Sequence, residues 1–181
     1  MGMLESFVRF VDTLNERIGR AVSWLTLAMV AVTFLVAVMR YGFTWGRVWI
    51  QESYVWMHGI VFMLGAGYTL LHDGHVRVDV FYRPAPLRRR ALVDLLGALL
   101  LALPMVATVF VVSWPYVLES WLKLETSREA GGLPGLFLLK TVILLFCLLV
   151  GLQALSLAAK AWLALRGRPE LYARSRAGGA G

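Results

Sequence analysis

Four long stretches of the chain are almost free of charge, and the polar residues gather between them. A bilayer's hydrocarbon core takes about 20 mostly apolar residues in helical form. Residues 21–39 carry no charge and are bracketed by Arg20 and Arg40. Residues 48–71 hold Glu52 near the start and His58 inside, 95–118 hold no charged side chain, and 133–159 are interrupted only by Lys140 and end at Lys160. Ahead of the first stretch, Leu4, Phe7, Val8, Val11, Leu14 and Ile18 recur at helical spacing, with Glu5, Arg9, Asp12, Glu16 and Arg17 opposite. This pattern predicts an amphipathic helix over 3–20, expected to lie in the membrane interface; docking onto a partner is the alternative.

The expected fold is therefore all-α: an integral membrane four-helix bundle over residues 1–165, with an N-terminal interfacial amphipathic helix. Residues 166–181, rich in Gly, Ala and Arg, are expected to be a disordered tail. The first span is not expected to be a cleaved signal peptide, because it begins late and runs into Arg40-Tyr41 without a small-x-small site. Pro104 and Pro115 are expected to bend or end the third span. Gly131-Gly132-Leu133-Pro134-Gly135 should break the chain before the fourth.

Composition excludes a soluble enzyme. Hydrophobic residues make up 59% of the chain and charged ones 16%, against about 45–50% and 25% in soluble domains. With Cys147 as the single cysteine, an internal disulfide, a CxxC redox pair and a cysteine-based zinc site are all excluded. Basic loops stay cytoplasmic. The N-terminal segment, the loop after the second span and the tail together carry thirteen of the 18 Lys and Arg residues, and the opposite side carries Arg40, Arg47, Lys123, Arg128 and Lys140. Both termini are thus expected in the cytoplasm. Trp45, Trp49, Trp114, Tyr116 and Trp121 would form an outer aromatic belt, with Trp24 and Trp162 at the inner surface. The net charge of +7 then reflects topology and anionic lipid headgroups, and gives no reason to invoke nucleic acid.

Candidate chemistry is sparse. Glu52 lies one turn into the second span, where an ionisable group is a functional candidate by default. At headgroup depth it is expected instead to pair with Arg40 or Arg47, or to cap the helix start. His58 is deeper, and haem ligation, proton carriage and an interhelical hydrogen bond are its options. The last is expected, because His72 and His75 lie at the opposite membrane edge and supply no facing ligand. His72-Asp73-Gly74-His75 and Asp79 resemble a metal set only in composition, and read as a structural turn in which Gly74 takes a positive φ while His75 and Asp79 bond backbone or Arg77. Small residues Gly59, Gly65, Ala66 and Gly67 should let helices approach closely. No nucleophile triad, phosphate loop or paired intramembrane carboxylate is present, and neither a cofactor nor a catalytic role is expected.

Four spans with both ends inside carry Trp49-x-x-Glu52, Trp56, Phe62-Met63-Leu64-Gly65-Ala66, Leu70 and Gly74-His75-Val76-Arg77-Val78-Asp79. Together with Gly132-Leu133-Pro134 before the fourth span and Leu152-Gln153 within it, this resembles the small membrane subunit of tripartite ATP-independent periplasmic (TRAP) transporters over roughly residues 20–160. Gln51 departs from the family pattern, in which a second acidic residue is common. His72-Asp73 departs where a basic residue often stands.

The resemblance implies a bacterial inner-membrane scaffold, bound tightly to a large sodium-coupled transport subunit. An organic anion, often a carboxylate, would be delivered by a transient periplasmic binding protein. Trp49, Glu52, Trp56, Gly59, Gly65, Ala66 and Gly67 are the expected partner interface. A haem-bearing redox anchor and a small homodimeric exporter are the competing readings.

Overall fold

The computed structural model describes residues 2–75, 82 and 84–177, and every described element is helical. Helix α1 spans Met3–Phe43, α2 Val48–Leu71, α3 Leu87–Gly97, α4 Leu103–Leu122, α5 Leu136–Leu165 and α6 Glu170–Ala177. A π-helical turn, Ala98–Ala102, joins α3 to α4 without a break, so Leu87–Leu122 is one apolar rod. Among the described residues four helices are long and apolar enough to cross a membrane.

The chain turns where backbone chemistry requires it. Thr44 takes a left-handed conformation to end α1. Gly131 and Gly135, at φ 75° and 88°, break the chain before α5, as their place in the sequence predicts. At the end of α2 the Gly74 N–H bonds the Thr69 carbonyl at 2.8 Å and the Asp73 N–H bonds that of Leu70 at 3.4 Å, a Schellman closure. The left-handed residue there is Asp73, φ 58°, and not the expected Gly74. Neither proline ends the third span. Pro104 has no N–H to give the preceding turn, and directly before it the Leu103 N–H reaches back five residues to the Ala98 carbonyl. This widened turn takes up the register change, and the helix continues through Pro115 to Leu122.

Helix α5 is the central element. It is apolar on every side, as a helix surrounded by others should be, and α1, α2, α3 and α4 all pack on it. Along its C-terminal half Ala154, Ala158 and Ala161 meet Ala91 and Ala98; small residues let the two rods approach closely. Among the described residues α4 makes no substantial packing with α1 or α2. The spans therefore form a broad array, α1 and α2 on one flank of α5 and α4 on the other.

Two sequence expectations are corrected. Residues 3–20 are helical as predicted but run unbroken into the first span, and α1, at about 60 Å, is twice as long as a bilayer core is thick. Its buried residues, Val8, Val11, Asn15, Gly19 and Val22, all lie in the N-terminal half. That half docks on α2 and α5 of its own chain. The expected disordered tail includes a helix, α6, held because Tyr172, 1% exposed, packs on Ala91 and Ala161. Its hydroxyl donates to Asp94 Oδ2 at 2.5 Å, and burial, then Asp94, raises the phenol far above its ordinary pKa. An ion pair between Glu5 and Arg168, 3.4 Å, places the two ends of the chain on one side of the array.

Candidate functional site

Polar side chains converge at two junctions, one at each end of α5. At the C-terminal end of α5, the helical repeat of α1 turns Asp12, Asn15 and Gly19 toward the array. The repeat of α5 turns Gln153, Ser156 and Lys160 to meet them. Asp12 Oδ1 accepts from Gln153 Nε2 at 3.1 Å, Ser156 Oγ at 2.8 Å and Lys160 Nζ at 2.9 Å, and its Oδ2 lies 2.7 Å from Nζ. Asn15 Nδ2 donates to Gln153 Oε1 at 2.9 Å and to the Val11 carbonyl at 3.3 Å. Lys160 is only 3% exposed, so its charge is tolerable only because Asp12 faces it. Beside this cluster Glu16 Oε2 lies 2.6 Å from His72 Nε2 while its Oε1 holds Arg20, joining α1 to the end of α2.

At the N-terminal end of α5 Glu52 ties down the loop before that helix: its carboxylate accepts from Ser127 Oγ and, at 2.6 Å, from the Leu133 backbone N–H. Gly132 is required there, because a Cβ would sit 2.4 Å from Ser127 Oγ and 2.7 Å from Glu52 Oε2. The expected pairing of Glu52 with Arg40 or Arg47 is not formed; its capping role is exercised on the loop and not on its own helix.

Next to it, Leu124 at φ 45° closes α4 by directing the Glu125 N–H to the Ser120 carbonyl at 3.0 Å. The Glu125 carboxylate accepts from Ser120 Oγ at 2.7 Å and from Lys140, whose Nζ stands 3.9 Å from the Tyr116 ring centroid. Lys140, then Ser120, hold the Glu125 carboxyl below the ordinary carboxylate range. A carboxyl whose folded pKa is depressed stabilises the fold above its unfolded pKa, and that contribution disappears as pH falls through the folded value. Glu125→Gln should therefore lower the thermal midpoint at pH 7. The gap to the parent protein should narrow as pH falls below the ordinary carboxylate range and through the depressed folded value, and a gap that widens on acidification would contradict this assignment.

Between the junctions α5 carries no charge from Val142 to Leu152, and Lys140 and Lys160 stand about 30 Å apart along it. The small residues of α2 divide sharply. Gly67 is buried: a Cβ there would meet Asn15 Oδ1 at 2.1 Å and Leu149 Cβ at 3.3 Å. Ala66 packs on the cluster of Val106, Cys147 and Val150, and a Cβ on Gly59 would touch Leu139 at 3.7 Å. Of these three, expected on a partner-facing side, Gly67 and Ala66 are covered by the chain's own α1 and α5, while Gly59 is half-buried beside α5. At Gly65 a Cβ would meet nothing; Trp49 is exposed and Trp56 half-buried.

His58 is exposed at mid-helix, stacked 6.4 Å from Phe62, with no hydrogen bond to any described residue. The expected interhelical bond is therefore not made within the chain. His72 is engaged by Glu16, His75 is exposed beyond α2, and Asp79 lies outside the described residues. Among the described residues no three His, Cys, Asp or Glu side chains converge as a metal would require.

The Asp12 junction is not legible in periodicity: the helical repeat puts Asp12 on the solvent face of an amphipathic helix, whereas its partners stand more than 140 residues away. The available signal is Lys160, a charge continuing an apolar helix, with Ser156 and Gln153 on the same face one and two turns earlier.

A family model for the DctQ component of tripartite ATP-independent periplasmic transporters matches residues 29–166. The C4-dicarboxylate TRAP transporter small permease protein DctQ of Vibrio cholerae serotype O1 (strain ATCC 39315 / El Tor Inaba N16961) is 30% identical over 108 residues. That stretch is 60% of this chain and 45% of the relative, so the match spans less than half of that protein's length. No solved structure matches the chain.

Proposed function

The chain belongs to the DctQ component family, the small permease subunits of TRAP transporters, and from that membership we propose that it is a scaffold for a large transport subunit rather than a solute path. It holds that subunit broad and level in the inner membrane while the large subunit moves an organic anion, of carboxylate class, together with sodium ions. A periplasmic binding protein delivers the anion. Both termini face the cytoplasm, where the basic loops belong.

The observation that carries the reading is the placement of charge. Among the described residues every ion pair of the spans lies at an end of the array, and α5 offers a solute or cation no charged side chain from Val142 to Leu152. A conduit needs polar groups across the membrane's depth. A scaffold needs rigid ends and breadth, and the two junctions and the row of spans supply these.

The test is to reconstitute the chain alone, the large subunit alone and the pair into liposomes with the cognate binding protein and a sodium gradient. Uptake of the carboxylate is expected only with the pair. Uptake by this chain alone at the rate of the pair would overturn the reading.

A further inference from the structure

In the middle of the array, the outward face of α2 carries an imidazole that no described residue hydrogen-bonds. His58 lies about 15 Å or more of helix from either end of α2, too deep for an imidazole to reach water or headgroups. It is exposed and hydrogen-bonded to no described residue. In hydrocarbon an N–H without an acceptor is costly, so lipid is the wrong neighbour for this face.

Helical spacing sets Val55, His58, Phe62 and Gly65 in one stripe. Val55 and Phe62 are 55% and 69% exposed, and Gly65 has open space where a Cβ would stand. Two hollows flank the stripe, one of about 650 Å³ against α1 at Val30 and Phe34, the other of about 530 Å³ against α5 at Leu139 and Ile143. By contrast, the exposed face of α4 near Leu101, Val111 and Val112 is apolar apart from the Thr108 hydroxyl, a group that can bond a carbonyl of its own helix, and suits acyl chains.

We infer that the Val55–His58–Phe62–Gly65 stripe is the face on which a transmembrane helix of the large subunit seats, presenting a hydrogen-bonding side chain to His58 at mid-membrane. The inference rests on the scaffold reading above and adds the face and its chemistry. The close approach allowed by Gly65 supplies packing, and His58 fixes depth and register, as interhelical hydrogen bonds do in lipid.

The experiment uses the full chain coexpressed with the large subunit. A photoreactive benzoyl-phenylalanine is installed in place of Val55, Phe62, Leu101 or Val112, and the membranes are irradiated before purification. Crosslinks to the large subunit are expected from the two α2 positions and not from the two on α4. In parallel, His58→Leu should reduce the amount of large subunit copurified by about three- to tenfold, and His58→Gln should recover most of it.

If the large subunit copurifies but crosslinks come from α4 at equal or greater yield, from neither face, or only to a second copy of this chain, the inference fails while the scaffold reading stands. Full copurification with His58→Leu removes the hydrogen bond from it. Absence of copurification from the parent pair removes both the inference and the reading on which it rests.

Discussion

Replacing Asp12 with Ala is expected to lower the chain's stability more than any other single side-chain truncation at its polar junctions. The substitution leaves the Lys160 ammonium, 3% exposed, facing Gln153 and Ser156 with no counter-charge. Removing one partner of a buried ion pair costs about 3–5 kcal/mol. The Asp12 side chain is itself 27% exposed, which places this case toward the lower end of that range. Lys160→Met should cost less, because Asp12 would keep its bonds from Ser156 and Gln153 and part of its hydration. The pair Asp12→Asn with Lys160→Met removes both charges while retaining an oxygen for Ser156, and should melt close to the parent protein.

Thermal midpoints in detergent rank the three variants. Limited proteolysis adds a spatial readout, because loss of the Asp12 clamp should release the N-terminal half of α1 to cleavage before the rest of the array unfolds. Equal melting of Asp12→Ala and Lys160→Met would show that the buried ammonium is not what the carboxylate serves.

This junction also marks where sequence reasoning stopped. The spans were legible because hydropathy is a local property: 48–71 coincides with α2, and 133–159 falls three residues ahead of the start of α5. Charge had marked the boundaries, and it misled wherever a charge was neutralised by a distant residue. Lys160 looked like the end of the fourth span, yet with Asp12 beside it the helix continues to Leu165. Residues 3–20 read as a separate amphipathic helix because Asp12 and Glu16 were counted as solvent-facing. Both are contacts, to α5 and to His72, and nothing at Gly19 or Arg20 breaks the helix. Glu52 was legible as a residue needing a partner, but its partners belong to a loop 75 and 81 residues later, and periodicity within one helix carries no information about such a pairing.

The small residues of α2 give the second large effect. Gly65 and Gly67 are indistinguishable in composition and two residues apart, which on a helix places them on nearly opposite faces. Even an added methyl at Gly67 collides with the Asn15 amide at 2.1 Å. Asn15 cannot retreat without surrendering its bond to Gln153, so the strain passes into the clamp. Gly67→Val is therefore expected to destabilise the isolated chain by about 1–3 kcal/mol, the usual cost of overpacking, with a further penalty from the broken polar contact.

The clash has a single author among the side chains, since the next residue in reach, Leu149, stands at 3.3 Å. Asn15→Ala with Gly67→Ala should thus be more stable than the sum of the two single changes predicts, a coupling that a double-mutant cycle on thermal or denaturant unfolding reads directly. Additive behaviour would mean that α1 and α2 do not meet at this point. Gly65→Leu should leave the melting of the isolated chain unchanged, because open space receives the side chain, while weakening capture of the large subunit. Two glycines that composition alone cannot separate would then fail in different assays, one holding the chain to itself and the other leaving room for its partner.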